Sequence, residues 1–236
     1  MISGERQTAI NGTALILGAS RGLGLALVEE WCRRGGRVVA TVRTPAAALA
    51  AVASRYDGYV RIETVDMDDA ATIGALRDRF AGQPIDVIVA NAGIALATSS
   101  TAATVDETDF LAMMRTNALA PVRALELLQD LVPADGVLSV MSSELGSIAR
   151  NTGFWSLYSC SKAALNMLMK GFAASRSDDP RAMLLLAPGW VKTDMGGKDA
   201  LFAIDQSIPL VVDVIEANRG KPGLRFVDRF GNNLPW

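Results

Sequence analysis

Hydrophobic residues along the chain form short continuous runs, and most runs are followed by a longer stretch in which apolar residues recur with a helical period. Continuous aliphatic runs predict strands that are buried on both faces, whereas amphipathic stretches predict helices that cover a sheet. The predicted strands are residues 13–18, 37–42, 59–65, 85–93, 136–143, 181–189 and 224–228. The predicted helices are residues 23–35, 45–56, 69–82, 105–132 and 156–176, followed by a helix that ends at Asn218.

Strands that alternate with helices of this length are typical of βαβ units, which join parallel strands. No linker, charge block or internal repeat divides the sequence. We therefore predict one doubly wound α/β domain over residues 1–236, a Rossmann fold whose parallel seven-stranded sheet has helices on both faces. Pro121 predicts a kink in the helix 105–132. The turn-rich residues 194–209 predict a flexible lid before the last helix.

Composition narrows the class of protein. Half of the 236 residues are hydrophobic, and the formal net charge is −2, so we expect neither nucleic-acid nor membrane binding. The two cysteines, Cys32 and Cys160, cannot form a disulfide framework, which favours a reducing, cytoplasmic location. The chain contains no histidine, and no cluster of cysteines and carboxylates has the spacing of metal ligands. We therefore expect no metal site.

The first predicted strand leads into the sequence GASRGLG. A chain with 21 glycines will produce such spacings by chance, but these glycines follow a strand and open a helix in the first βαβ unit. Backbone N–H groups at the start of such a helix can bind a pyrophosphate. The predicted nucleotide-binding loop consists of Gly18, Ser20, Arg21, Gly22, Leu23 and Gly24.

The end of the second strand indicates the cofactor. An acidic residue there would bind the ribose hydroxyls of NAD, whereas a basic residue accommodates the additional phosphate of NADP. Val42 is followed by Arg43, and no carboxylate occurs between Val38 and Ala53. With Arg21 as a second cation, charge pairing favours NADP over NAD. Alternatively, Arg43 and Arg21 are ordinary surface charges.

The stretch YSCSKAALNM places Tyr158 four residues before Lys162, on one face of a predicted helix. A free phenol titrates near ~10, and a neighbouring ammonium group lowers that pKa. In a chain without histidine, this pair is a candidate acid–base group. Alternatively, Tyr158 packs in the core while Lys162 extends to solvent. Ser143 and the segment PGWVKT follow the fifth and sixth strands, at the sheet edge where doubly wound folds bind ligands.

The loop spacing GxxxGxG, together with these motifs in order, resembles the short-chain dehydrogenase/reductase superfamily over nearly the whole chain. The segments SSELGSI, PGWVKTDMGG and DRFGNNLPW resemble the carbonyl reductases related to the sniffer protein and the bacterial C-factor. Some positions depart from the family pattern. Leu17 replaces a threonine, Ala90 an asparagine and Ala187 a histidine, and Ser143 stands farther from Tyr158 than is usual.

The resemblance implies roles for the catalytic set. Tyr158 donates a proton to a carbonyl, and Lys162 lowers its pKa and holds the nicotinamide ribose. Ser143 hydrogen-bonds the carbonyl oxygen, and Asn117 anchors a water. Alternatively, Ser143 completes a turn and Asn117 satisfies backbone near Pro121. Further implied cofactor contacts, besides Tyr158 and Lys162, are Asp66, Met67, Asn91, Ala92, Gly93, Pro188, Gly189, Val191 and Thr193. Asp66 has an alternative role as a cap for the helix beginning near Asp69.

These expectations combine into an NADPH-dependent reductase of an aldehyde, ketone or quinone. An apolar substrate is expected because Met195, Leu201, Phe202 and Ile204 make the predicted lid apolar. An NADP-binding regulatory protein with little turnover is the alternative. An epimerase or dehydratase is disfavoured, because the chain after Thr193 is too short for a substrate domain. In this family, helices that correspond to 105–132 and 156–176 form the contacts between subunits. The resemblance therefore implies a homodimer or homotetramer.

Overall fold

The computed structural model describes residues 9–236, and its centre is a sheet of seven parallel strands. The strands are β1 (Thr13–Leu17), β2 (Arg37–Val42), β3 (Val60–Thr64), β4 (Val87–Ala90), β5 (Val137–Met141), β6 (Ala182–Ala187) and β7 (Gly223–Asp228). Their order across the sheet is β3-β2-β1-β4-β5-β6-β7. The predicted fold class is confirmed. Five of the seven strands, all except β3 and β7, are rich in aliphatic side chains buried on both faces, which is why they read as continuous runs.

Seven α-helices cover the two faces of the sheet in the described residues. They are α1 (Gly22–Arg33), α2 (Ala47–Arg55), α3 (Ala70–Arg79), α4 (Glu107–Met114), α5 (Ala120–Leu128), α6 (Ser156–Ala174) and α7 (Ile204–Ala217). Helices α1, α2 and α7 share one buried hydrophobic cluster, and α3, α5 and α6 share another on the opposite face. No helix within residues 9–236 is both long and apolar enough to cross a membrane.

The strand order fixes where a ligand can bind. The chain moves outward from β1 to β3 and then returns to β4 on the other side of β1. The connections that leave β1 and β4 therefore diverge, and a crevice opens between them at the carboxyl ends of the strands. Strand β1 pairs with both β2 and β4, so the carboxyl ends of the strands that border this crevice are held by hydrogen bonds on both sides.

The predicted helix 105–132 is irregular, and the irregularity lies directly before Pro121, where a kink or break was predicted. Helix α4 runs into a π-helical turn, Arg115–Leu119, before α5 continues the same path. Pro121 is the second residue of α5, and its missing N–H cannot bond the carbonyl of Asn117 four residues earlier. A π turn holds an additional residue and occurs frequently at functional sites. Here it contains the buried Asn117.

Helix α7 begins at Ile204, inside the segment predicted as the lid 194–209, and Pro209 lies within it. The helix forms despite the proline because its first turns are anchored. The Ser207 hydroxyl donates a hydrogen bond of 2.7 Å to the carbonyl of Pro188, and Ile208 is buried. The irregular part of the segment is therefore shorter than predicted and ends before Ile204.

Candidate active site

A cleft of about 1040 Å³ opens at the carboxyl ends of the strands. All of the predicted site residues line it except Gly24 and Asn117, which lie directly behind its wall. The residues come from the loops and helices that follow six different strands, β1 to β6. Such a volume is at the upper end of the usual range for small-molecule sites, and suits a dinucleotide together with a small substrate.

The glycine loop is held so that its backbone faces the cleft. Gly18 has a φ of +88°, and a side chain there would come within 2.7 Å of the Cβ of Ala92. The Gly18 carbonyl accepts a hydrogen bond of 2.9 Å from the Asn91 side chain, and the Gly18 N–H donates one of 3.1 Å to Thr41. Helix α1 starts at Gly22. The loop thus fits a pyrophosphate at the N-terminus of a helix.

The two predicted cations have different surroundings. Arg43 is exposed at the end of β2, and within residues 9–236 it forms no ion pair or hydrogen bond. Arg21 pairs with Asp194 at 2.8 Å, and both side chains are 76% exposed. Since Asp194 belongs to the predicted lid, this pair joins the glycine loop to the segment after β6. Arg43 is therefore the better placed of the two to bind an additional phosphate.

The alternative role of Asp66 as a helix cap is wrong. Asp69 caps α3, because its carboxylate accepts the N–H of Ala71 at 2.8 Å. Asp66 lines the cleft instead, and its carboxylate accepts the N–H of Asp68 at 3.0 Å. Its orientation is thus fixed by the turn that follows β3.

Tyr158 and Lys162 are both buried on the face of α6 that borders the cleft. Ser143 lines the same part of the cleft and interacts with the Tyr158 side chain. The Lys162 ammonium donates a hydrogen bond of 2.8 Å to the carbonyl of Met141 and lies 5.9 Å from the centre of the Tyr158 ring. The alternative in which Lys162 extends to solvent is wrong, because only 3% of this residue is exposed.

Burial controls the pKa values of this pair. It raises the pKa of Tyr158 to about 12, although the neighbouring Ser143 acts in the opposite direction. Burial also lowers the pKa of Lys162, to about 8. We predicted a lowered tyrosine pKa, and that expectation is wrong here: removing the phenolate from water outweighs any help from the ammonium, which is directed at Met141. Tyr158 is protonated at neutral pH.

The two serines at the end of β5 differ in their partners. The Ser142 hydroxyl is buried and donates a hydrogen bond of 2.7 Å to the side chain of Asn166. The Ser143 hydroxyl reaches Tyr158, and it also accepts the N–H of Leu145 at 3.2 Å. Ser143 therefore completes a turn, as the alternative predicted, and borders Tyr158 as well. Only Ser143 has its hydroxyl beside that of Tyr158.

The Asn117 side chain connects two walls of the cleft. Its carbonyl oxygen accepts the N–H of Ile94 at 2.8 Å, and its amide donates to the Ile94 carbonyl at 2.7 Å and to Ser161 at 3.0 Å. Ser161 in turn donates to the carbonyl of Tyr158 at 2.7 Å. The alternative in which Asn117 satisfies backbone near Pro121 is wrong. Its side chain ties the loop after β4 to helix α6.

An aromatic wall beside Tyr158 was not predicted as part of the site. The ring of Trp155 lies 5.8 Å from that of Tyr158, edge to face, and stacks on Phe154 at 5.2 Å. Trp190 approaches Phe154 at 5.9 Å. Trp155 has a φ of 46°, a left-handed conformation that is uncommon for a bulky residue and is concentrated at functional sites. The sequence did contain a sign of this wall, because two adjacent aromatic residues, Phe154 and Trp155, directly precede the helix that contains Tyr158.

A doubly wound sheet with a glycine-rich first turn and a buried tyrosine–lysine pair defines an oxidoreductase with a Rossmann fold. Residues 12–201 match the model of the short chain dehydrogenase family. Because this match covers most of the chain, the protein belongs to that family, and the resemblance of its sequence motifs is confirmed.

Several individual proteins are similar to this chain. A structure named as a short-chain dehydrogenase/reductase from Burkholderia multivorans, with bound NADP, is 45% identical, with a TM-score of 0.93 over 96% of this chain and 100% of that one. The C-signal protein of Myxococcus xanthus is 34% identical over 65% of this chain and 93% of its own length. The carbonyl reductase Sniffer of D. melanogaster is 28% identical, with a TM-score of 0.86 over 96% of this chain and 100% of that one.

Proposed function

We propose that the protein is an NADPH-dependent reductase that converts a carbonyl group to an alcohol. The observation that carries this proposal is that Ser143, Tyr158 and the buried Lys162 line one cleft, with the Lys162 ammonium 5.9 Å from the centre of the Tyr158 ring. Burial holds the pKa of Tyr158 at about 12, so the phenol retains its proton at pH 7. A protonated phenol beside a second hydroxyl is suited to donating a proton to a carbonyl oxygen.

Each residue of the set has one task in this mechanism. A bound nicotinamide supplies the hydride that reduces the carbonyl carbon. As negative charge develops on the carbonyl oxygen, Ser143 donates a hydrogen bond and Tyr158 transfers its proton. The Lys162 ammonium stabilises the phenolate that remains. Asn117 acts through its neighbours, because its bonds to Ile94 and Ser161 position the loop and the helix on either side.

The charged residues of the cleft also indicate which cofactor the protein binds. Arg43 is an exposed cation without an ion pair in the described part of the chain, which suits the additional phosphate of NADP. The similarity to the NADP-bound Burkholderia structure supports the same choice. We assign the remaining cofactor contacts to Gly18, Ser20, Arg21, Gly22, Leu23, Gly24, Asp66, Met67, Asn91, Ala92, Gly93, Tyr158, Lys162, Pro188, Gly189, Val191 and Thr193.

The substrate side of the cleft is mostly apolar. Met195 and Leu201 from the segment after β6 line it together with the aromatic wall. Large apolar side chains in a cleft favour a substrate with an aromatic or aliphatic body. We therefore propose an aldehyde, ketone or quinone of this kind as the substrate class.

The similarity to the C-signal protein favours one second candidate, an NADP-binding regulatory protein with little turnover. The same experiment separates the two functions. Oxidation of NADPH and of NADH is followed with aromatic and aliphatic aldehydes, ketones and quinones, for the native protein, Tyr158→Phe and Tyr59→Phe. Tyr59 is a surface residue outside the cleft and controls for the loss of a phenolic hydroxyl.

We expect turnover with NADPH to exceed that with NADH, and Tyr158→Phe to lose at least roughly 100-fold in kcat while Tyr59→Phe is unchanged. NADPH binding without turnover on the whole panel would support the regulatory candidate. Equal loss in both variants would contradict the assigned role of Tyr158.

Two further proposals concern the setting of the enzyme. We propose a cytoplasmic location, since Cys32 and Cys160 are both free thiols. We also propose a homodimer or homotetramer that pairs through α4, α5 and α6, where Leu111 and Met167 are more than half exposed. Sedimentation at micromolar concentration tests the assembly, and a monomer would contradict it.

A further inference from the structure

Arg229 directly follows β7 and lines the cleft. Its guanidinium carbon lies 3.6 Å from the centre of the Phe202 ring and 4.5 Å from that of Phe230. Its Nη1 atom occupies the space where a side chain at Gly189 would stand, 2.5 Å from the ideal Cβ position. Two aromatic rings and a glycine therefore hold this cation in place at the carboxyl ends of β6 and β7.

Apart from these ring contacts, the charge of Arg229 has no acidic partner in the described part of the chain. Within residues 9–236 the side chain forms no ion pair or hydrogen bond, and its Nε atom is buried without a partner. The neighbouring Asp228 carboxylate is already used, because it accepts the N–H of Phe230 at 2.8 Å and two hydrogen bonds from Asn232 at 2.9 and 3.0 Å. A partly buried cation with five donors and no acceptor is suited to binding an anion.

In the described residues, no carboxylate that lines the cleft forms an ion pair with Arg229. Asp194 pairs with Arg21 and Asp68 with Arg115, while Asp66 and Glu144 form no ion pair. The Phe202 ring, moreover, cannot easily move away from the guanidinium. Its backbone is fixed to the strand-like segment after β6 by hydrogen bonds of 2.8 and 3.1 Å to Lys192 and Trp190.

We propose that Arg229 binds a carboxylate of the substrate, and hence that the preferred substrate is an aromatic or apolar carbonyl compound that carries a carboxylate away from its carbonyl group. This inference rests on the proposed carbonyl reductase function. Cofactor phosphates are the other anions expected near the cleft, but we assign them to the glycine loop after β1 and to Arg43 after β2, which is one strand farther from β7. Four strand spacings of about 4.8 Å separate β1 from β7, or roughly 19 Å. The aromatic wall of Phe154, Trp155 and Trp190 provides a surface for the apolar body.

The test compares 4-carboxybenzaldehyde and 3-carboxybenzaldehyde with their neutral methyl esters, at saturating NADPH. Native protein, Arg229→Met and Arg225→Met are measured, since Arg225 also lies on β7 but outside the cleft and binds the carbonyl of Lys221. For each variant, the ratio of kcat/KM for the acid to kcat/KM for its ester is calculated. Because the same acid and ester are used throughout, a difference in this ratio between variants does not come from the intrinsic reactivities of the two compounds. The Kd of NADPH is measured for each variant by fluorescence.

We expect Arg229→Met to lower kcat/KM for at least one acid by roughly 10- to 100-fold, the value of one charge-assisted contact, while the ester changes little. Arg225→Met should behave as the native protein, and the Kd of NADPH should be unchanged. Equal losses for acid and ester, or a weakened Kd of NADPH, overturn the proposal and assign Arg229 to structure or to the cofactor. If no aldehyde is reduced, the proposed function itself fails, which is a separate outcome.

A measurement on the native protein does not depend on the folding of a variant. The NADP complex is titrated with phenylacetate and with phenylacetamide, and binding is followed by the fluorescence of the cleft tryptophans. We expect the carboxylate to bind at least roughly 10-fold more tightly than the amide. Equal or weaker binding of phenylacetate overturns the proposal.

Discussion

Gly24 provides the sharpest test of how the glycine loop is built. It is the third residue of α1. An ideal Cβ there would lie 2.0 Å from the Gly18 carbonyl oxygen and 2.6 Å from the Asn91 side-chain nitrogen. Both of these atoms form the 2.9 Å hydrogen bond that holds the loop against β4. Gly24→Ala therefore perturbs the loop without removing any polar group.

The size of the effect follows from these distances. Real Cβ contacts almost never fall below 3.0 Å, so the loop and the helix must separate by about 1 Å. Displacements of about 1 Å at a binding site can cost roughly 100-fold in function. Overpacking also costs about 1–3 kcal/mol, offset by about 1 kcal/mol from the better helix propensity of alanine. We expect the Kd of NADPH to rise at least roughly 10-fold, with a net loss of about 0–2 kcal/mol in the free energy of unfolding.

Gly74 is the matched control, because it is also a glycine inside a helix, α3, but a Cβ there meets nothing within 4 Å. Gly74→Ala should leave the Kd of NADPH unchanged. It should raise the free energy of unfolding by about 0.5–1 kcal/mol, through helix propensity alone. In a chain of this size that gain corresponds to an increase in Tm of about 1–4 °C.

The assay is a titration of NADPH followed by its fluorescence, with Tm measured by calorimetry for both variants. A large rise in Kd for Gly24→Ala, with Gly74→Ala unchanged, agrees with a loop that must lie close to the helix. If Gly24→Ala binds NADPH as tightly as the native protein, the close packing of loop and helix does not determine binding. The reasoning would then be refuted.

Two other predictions concern α6 and its neighbours. Burial lowers the pKa of Lys162 to about 8, and the mechanism needs its ammonium form. We therefore expect kcat/KM for reduction to be highest below pH 8 and to fall as the pH rises through that value. The arginine of Lys162→Arg keeps its charge at these pH values, so the remaining activity of this variant should not decrease above pH 8. If kcat/KM of the native protein is constant up to pH 10, the reasoning is contradicted. Asn117→Leu leaves the N–H and carbonyl of Ile94 without their 2.7–2.8 Å partner. It should destabilise the fold by roughly 3–5 kcal/mol, and a calorimetric Tm within about 2 °C of native would exclude that cost.

Most of the fold could be predicted from the sequence because it depends on local periodicity. The buried strands are short aliphatic runs, and the helices between them are amphipathic, so their order implied a parallel, doubly wound sheet. The placement of the site also followed, since glycine loops and polar residues at the carboxyl ends of parallel strands meet at one edge. For this reason Tyr158, Lys162 and Ser143 could be grouped although they are distant from Gly18 in the chain.

Other features depend on contacts between distant segments, and local patterns could not supply them. Pro121 predicted a kink, but only the structure shows that the irregularity is a π turn that contains the buried Asn117. The lid was predicted to extend to residue 209, yet the bond from Ser207 to Pro188 allows α7 to begin at Ile204. Arg229 was part of a recognised terminal motif, but its place between two aromatic rings became visible only in three dimensions.

The sequence alone determined the architecture, the family resemblance and the residue types available for chemistry, because periodicity and motif spacing are properties of neighbouring residues. Only the tertiary structure decided the electrostatics of the site. The pKa of Tyr158 is raised and that of Lys162 is lowered because both groups are buried, and burial is produced by side chains that other elements contribute. The sequence states which ionisable groups are present, but the surrounding fold determines the free energy of charging each group and therefore its pKa.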